Sequence, residues 1–137
     1  ASYFGISTLT AESSYNPKDY PDGTIPCASN IFSSYDELSK FIENTYVPSY
    51  TAILMNSESN GQKRYFEYNG KLCMAKVDPK TNYDKDWSTY KISLSNVQKK
   101  SADITVAVKL KTSGEDAQIK LKMVKQGDKW LLTNLAY

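Results

Sequence analysis

The second half of the chain alternates apolar and polar residues, which is the spacing of half-buried β-strands. Asn69-Gly70 lies between Tyr65–Tyr68 and Lys71–Val77, and this dipeptide is the strongest short hairpin signal. A final strand is predicted from Trp130 towards Tyr137. The pattern predicts an antiparallel meander of five or six strands. Its further apolar positions are Tyr90, Ile92 and Leu94, then Ile104, Val106, Val108 and Leu110, then Ile119, Leu121 and Met123.

A capping box predicts a helix in the first half of the chain. Ser34 precedes Glu37 by three residues, and an apolar stripe that includes Phe41 follows at helical spacing. The helix is expected to run from Ser34 to Val47. Pro48 ends it and suits the first turn of a second helix, which reaches Met55.

The N-terminal segment has weaker signals. The short apolar pattern in residues 1–15 favours a helix, whereas three X-Pro pairs in residues 16–30 favour a loop. We therefore predict a single domain over residues 1–137, with 1–30 partly irregular. The predicted fold class is α+β, with N-terminal helices packed on a curved antiparallel sheet. This arrangement resembles the cystatin-like and nuclear-transport-factor-like folds.

The chain contains no histidine, and this excludes most hydrolytic chemistry. Neither a Ser-His-Asp triad nor a His-containing metal site can be built from it. Glu67 is expected to face solvent between Phe66 and Tyr68. The sequence therefore predicts a protein that is not an enzyme and that needs no metal or cofactor. No apolar run is long enough to cross a bilayer.

Charge is unevenly distributed along the chain. Residues 1–86 hold 8 basic and 11 acidic residues, whereas residues 87–137 hold 9 lysines and 4 acidic residues. Arg64 is the only arginine, although arginine does most bidentate reading of phosphate and guanine. The lysines alternate with apolar residues, as on the solvated face of a sheet. No nucleic-acid partner is predicted.

Two cysteines, Cys27 and Cys73, allow either one disulfide or two buried thiols. The chain begins at Ala1, which fits a mature end left by signal peptidase or a trimmed chain. Abundant Tyr, Ser, Thr, Asn and Lys suggest the outside of a Gram-positive cell. We expect an extracellular or cell-wall location and a monomer.

The long polar loop of residues 78–88 is the predicted site of function. Its length exceeds what a strand connection needs, and long ordered loops in compact domains are usually functional. Its carboxylates could oppose a cationic rim and its aromatic rings could enter an apolar subsite. Tyr90 and Trp130, in contrast, fall on alternating positions and are expected in the core. The candidate partner-binding residues are Asp78, Asn82, Tyr83, Asp84, Asp86 and Trp87.

Three segments together resemble a known family. They are Ile25-Pro26-Cys27 before the capped helix, the hairpin Tyr65–Leu72, and the polar loop that ends in Asp86-Trp87 before Tyr90-Lys91-Ile92. In order and spacing they are similar to the IseA family of secreted Bacillus-type proteins, which inhibit DL-endopeptidases of the cell wall. The resemblance implies a protease inhibitor that inserts a loop into the cleft of a peptidoglycan hydrolase.

A second hypothesis is a small-molecule carrier, or an accessory module of a secretion or conjugation machine. A carrier needs unfilled volume between the first helix and the sheet. The regular Ile, Val and Leu alternation of residues 104–123 favours a filled core. The inhibitor is therefore the first prediction.

Overall fold

The computed structural model describes residues 10–28, 31–59, 61–76 and 84–134. It is mostly β, with 49% strand and 19% helix. Two antiparallel sheets have four strands each, in the orders β1-β2-β6-β5 and β10-β9-β8-β7, and β3 and β4 form a separate ribbon. The strands are β1 Thr10–Ala11, β2 Thr24–Ala28, β3 Glu58–Ser59, β4 Gln62–Lys63, β5 Tyr65–Tyr68, β6 Lys71–Ala75, β7 Lys85–Ser95, β8 Ser101–Leu110, β9 Asp116–Gln126 and β10 Lys129–Leu132; the α-helices are α1 Tyr35–Thr45 and α2 Pro48–Met55, and a 3-10 turn spans Pro17–Asp19.

The predicted α+β fold, with N-terminal helices on one sheet of five or six strands, is wrong. The strands after residue 62 divide between two sheets, and the first sheet also recruits β2 from the segment predicted as a loop. In residues 1–15, the part that the structure describes holds a strand at Thr10–Ala11 rather than a helix. Only two short α-helices occur among the described residues. None of the described helices has the length and apolar content required to span a membrane.

Pro26 explains why the sequence does not predict β2. Proline is rare within sheets because it cannot donate to the ladder. Here the Pro26 carbonyl accepts from Glu12 N at 2.9 Å, on the β1 side. A residue in an antiparallel strand directs its N–H and C=O to the same neighbour. The missing N–H therefore affects only the pairing with β1, which ends at Ala11, and the pairing with β6 continues through Cys73.

The hairpin between β5 and β6 forms as predicted. Asn69 and Gly70 both have positive φ, at 50° and 75°. These left-handed conformations define the two-residue turn whose twist matches the flanking strands. Glu67 is exposed, as expected.

The first helix begins with a modified capping box. Ser34 Oγ accepts from Glu37 N at 3.2 Å, which is the predicted N-cap bond. The Glu37 carboxylate returns to Ser33 rather than to Ser34, accepting from Ser33 N at 2.7 Å and from Ser33 Oγ at 2.8 Å. These two bonds lower the pKa of Glu37. The Ser34 cap and the hydrogen bonds between Ser33 and Glu37 therefore together fix the N-terminus of α1.

The main core lies between α1, α2 and the first sheet. Leu38 and Ile42 of α1 have no exposed surface. Phe41 belongs to the apolar stripe of the sequence, but it is 41% exposed, and its ring makes an edge-to-face contact with the ring of Phe32 at a centroid distance of 5.3 Å. The apolar face of α1 is therefore narrower than its sequence suggests. The buried cluster consists of Phe32, Leu38, Ile42, Tyr46, Leu54, Tyr65 and Leu72.

Leu132 of β10 joins this core to the second sheet. Val47 N donates to Leu132 O at 2.9 Å, and Tyr46 forms a parallel β-bridge with Leu132. The Leu132 side chain packs against the main core and also against the apolar cluster on the second sheet. The contact between helices and β10 therefore connects the two sheets.

Both cysteines are free thiols. Cys73 is fully buried, and burial raises its pKa. Burial raises the pKa of Cys27 to about 12, with a further increase from the nearby Cys73. Of the two possibilities left open by the sequence, the structure has two free thiols with raised pKa values.

We expect Ile42→Ala to cost about 2–5 kcal/mol of unfolding free energy, because it creates a cavity at a position without exposed surface. Phe41→Ala should cost only about 1–2 kcal/mol, because much of that ring already contacts water. Urea denaturation of the two variants measures both values. Equal losses would contradict the observed packing of α1.

Cys27 should resist thiol reagents in the folded protein. At pH 8 a pKa of about 12 leaves about one thiolate in ten thousand, and the thiolate is the reacting species. A chromogenic disulfide reagent should label the native protein slowly and label both thiols promptly in denaturant. Prompt labelling of native Cys27 would show that its thiol is not shielded.

Candidate protein-binding edge

The described residues contain no cluster of metal-ligating side chains. No group of three or more Cys, Asp or Glu side chains among them could ligate a metal ion. Of the predicted site residues, Asp78, Asn82 and Tyr83 lie outside the described residues. Asp84, Asp86 and Trp87 are described, at the start of β7.

Asp84 holds a neighbouring turn in place. Its Oδ1 atom accepts from Thr112 N at 2.9 Å and from Thr112 Oγ1 at 2.8 Å. Its main-chain oxygen also accepts from Lys111 N. These bonds join the chain before β7 to the turn between β8 and β9. Asp84 therefore has a structural role that its position in the sequence does not reveal.

Asp86 closes a local turn within β7. Its Oδ1 atom accepts from Ser88 Oγ at 2.6 Å and from Ser88 N at 3.1 Å. These two hydrogen bonds lower the pKa of Asp86, and the positive charge of Lys111 adds to the effect. Asp86 is therefore a stable anion that shapes the strand.

A wide β-bulge follows Asp86. The ladder with β8 runs from Asp86 opposite Lys109 to Lys91 opposite Ala107, so five steps along β7 match two along β8. Within the gap, Thr89 Oγ1 accepts from Lys109 N at 2.9 Å, which satisfies a donor that the ladder leaves unpaired. Such bulges redirect side chains.

The bulge sets which residues of β7 face the apolar side of the sheet. It adds three residues to β7, an odd number, so Asp86 before it and Lys91 after it lie on the same face and Ile92 lies on the other face. Trp87 is half-buried and packs against the apolar cluster of the second sheet. That cluster consists of Val106, Val108, Ile119 and Leu121.

Beyond the bulge, β7 presents a row of exposed apolar side chains, which we call the edge stripe. Tyr90, Ile92 and Leu94 are 58%, 60% and 54% exposed, and Val97 in the following turn is 65% exposed. The expectation that Tyr90 lies in the core is wrong, because its strand is at the edge of the sheet. Trp130 also differs from expectation, since it is 40% exposed.

The edge stripe lies on the last strand of its sheet. Among the described residues β7 pairs only with β8, so within this part of the chain its outer side has no strand partner. The backbone N–H and C=O groups on such a side can pair with another chain. The stripe continues directly from Asp84, Asp86 and Trp87, so the predicted loop and the open edge adjoin.

Comparisons with known proteins add no relative. No family model matches the chain, and no curated protein matches it in sequence.

The pairing of Asp86 with Ser88 should make stability depend on pH in the acidic range. The folded pKa of Asp86 lies below its ordinary value of 3.8, so its stabilising effect is present above that pH and is lost as pH falls further. Wild type and Asp86→Asn should therefore differ in thermal stability at pH 7 and converge in strong acid. A difference that stays constant down to pH 2 would contradict this.

Proposed function

We propose that this chain is a non-catalytic protein-binding module that uses the open edge of β7 and the preceding loop to hold a partner. The partner class that we propose is a cell-wall DL-endopeptidase, which the bound module inhibits by covering its cleft. The setting is extracellular, at the Gram-positive cell wall. The choice of peptidase rests on the family resemblance, whereas the binding surface rests on the edge stripe.

The main supporting observation is a row of exposed apolar side chains on an edge strand, β7, whose outer side has no strand partner among the described residues. Natural proteins usually protect such edges with charged residues, prolines or covering segments, because open edges pair with other chains. Between Tyr90 and Ser95 the only charged residue is Lys91. An extended partner segment can add a strand to β7, gaining backbone hydrogen bonds from the edge and apolar contacts from the stripe.

The loop of residues 78–83 lies beside this edge in the sequence and supplies the inserted part. Asp84 and Asp86 have hydrogen-bond partners in Thr112 and Ser88. We therefore assign direct partner contact within the predicted site mainly to Asp78, Asn82 and Tyr83. The pair Asp84–Thr112 anchors the end of this loop to the sheet.

The carrier hypothesis has less support. A carrier of the predicted type needs a cavity between the first helix and the sheet. Leu38 and Ile42 of α1 are completely buried in that region and pack in a continuous cluster with Tyr65 and Leu72. A filled core of this kind leaves function to the surface.

The test compares two exposed isoleucines in an inhibition assay. Ile92 on the stripe is 60% exposed and Ile53 on α2 is 62% exposed. Peptidoglycan hydrolysis by a DL-endopeptidase is measured with increasing amounts of wild type, Ile92→Glu or Ile53→Glu. We expect Ile92→Glu to weaken inhibition at least tenfold, because it places a charge in the apolar contact, and Ile53→Glu to inhibit like wild type.

A further variant distinguishes the contribution of the loop to inhibition from that of the edge stripe. Replacing residues 78–83 by a Gly/Ser linker leaves Asp84 and the stripe unchanged, and we expect it to abolish inhibition while the melting temperature is retained. Absence of inhibition by the intact protein would reject the peptidase as partner. Full inhibition by Ile92→Glu would place the binding surface elsewhere.

A further inference from the structure

The second sheet carries a groove with different chemistry, and most of its polar lining comes from the face opposite the apolar cluster. It has a volume of about 440 Å³ and lies across β7, β8 and β9. This volume is in the range of small-molecule sites, about 300–1,000 Å³. Its polar lining consists of Ser95, Asn96, Asp103, Thr105, Lys120, Lys122 and Asn134, and Ile104 and Leu121 supply its apolar lining.

Strand register explains the shape of the groove. Thr105 lies opposite Lys120, and Asp103 lies opposite Lys122 and, on its other side, opposite Ser95. Side chains on β7 and β8 in these rows are short, whereas those on β9 are long lysines. The lysines of β9 therefore lie beside shorter hydroxyl and carboxylate side chains of β7 and β8 on the same face.

The charge available in the groove is positive. Lys120 and Lys122 form no ion pair with any described residue, in contrast to Lys109, whose Nζ lies 3.2 Å from Asp116 Oδ1. The Asp103 carboxylate accepts from Asn96 Nδ2 at 2.8 Å. Two ammonium groups against one hydrogen-bonded carboxylate leave a net charge of about +1.

We infer that this groove binds a polyhydroxylated anion, such as a polyol phosphate or an acidic saccharide. Lys120 and Lys122 attract the phosphate or carboxylate as mobile point charges. Ser95, Thr105 and Asn96 offer donors and acceptors to the hydroxyl groups of the ligand. The polar lining has no aromatic side chain or arginine on which a base could stack, which disfavours single-stranded nucleic acid.

The charged side of the groove is separate from the proposed protein-binding edge, although Ser95 and Asn96 at the end of β7 also line the groove. Lys120 and Lys122 lie on β9, two strands from β7, and on the face opposite that of Ile92 and Leu94. Changes to Lys120 and Lys122 should therefore leave inhibition of a peptidase unaltered. Failure of either proposal can be recognised without the other.

The test measures binding of small probes to the full chain by nuclear magnetic resonance. Glycerol 3-phosphate and glucuronate are titrated separately, with inorganic phosphate and glycerol as partial ligands. We expect saturable shifts centred on the backbone amides of Thr105 and Lys120. A probe with both charge and hydroxyls should bind at least fivefold more tightly than inorganic phosphate, and comparing the two probes identifies which anion is preferred.

A matched pair of double variants tests whether the groove is the site. K120Q/K122Q should weaken binding of the preferred probe at least fivefold, and K99Q/K100Q, which removes the same charge from the turn after β7, should change it less than twofold. All four lysines are exposed, so both variants should unfold like wild type. Equal weakening by the two pairs would show general electrostatic attraction, and no saturable binding of any probe would likewise overturn the proposal.

Discussion

The arrangement of the two sheets depends on one contact, between the junction of the helices and β10. The Val47 N–H donates a hydrogen bond to the carbonyl of Leu132, and α2 begins at the next residue, Pro48. The same Leu132 side chain lies against both apolar clusters. Because proline cannot continue the hydrogen bonding of α1, the chain must turn there, and β10 supplies a partner for the exposed N–H. The helices are therefore attached to the second sheet at its β10 side, three strands away from β7.

This attachment leaves β7 at the far side of the sheet. Burial changes sharply between paired residues across the last two strands, since Val106 is 7% exposed and Ile92 opposite it is 60% exposed. The edge stripe continues the apolar cluster onto the edge strand, because Ile92 and Leu94 lie beside Val106 and Ile104 on the same face. A partner that covers it extends an existing hydrophobic core, which is a favourable geometry for burying apolar area.

Local patterns predicted the elements whose causes are local. The bonds of Ser34 and Glu37, the left-handed turn at Asn69-Gly70 and the alternation after Tyr90 each act within a few residues, and the corresponding helix, hairpin and strands are present. The division into two sheets depends on long-range pairing. β2 was not predicted because it contains Pro26, and the hydrogen bond from Glu12 N to the Pro26 carbonyl cannot be inferred from a proline-rich segment.

The candidate site shows the same limit of sequence reasoning. Alternation marks Ile92 and Val106 as equally apolar, but only strand order determines that one is at an edge and the other is central. Asp84 was predicted as a partner-binding residue, and its hydrogen bonds to Thr112, 28 residues away in the sequence, could not be inferred from local patterns. Phe41 has the helical spacing of a core residue, yet Leu38 and Ile42 already occupy the narrow face of α1 that packs inward.

The bulge after Asp86 also decides which face of the sheet the later part of β7 presents. Side chains on a regular strand alternate between faces, so Asp86 and Lys91, five residues apart, would lie on opposite faces of a regular strand. The bulge places both on the lysine-bearing face, opposite Lys109 and Ala107, and Ile92 and Leu94 therefore lie on the apolar face. A β7 without the bulge, paired in register from Asp86 onward, would present Lys91 on the apolar face.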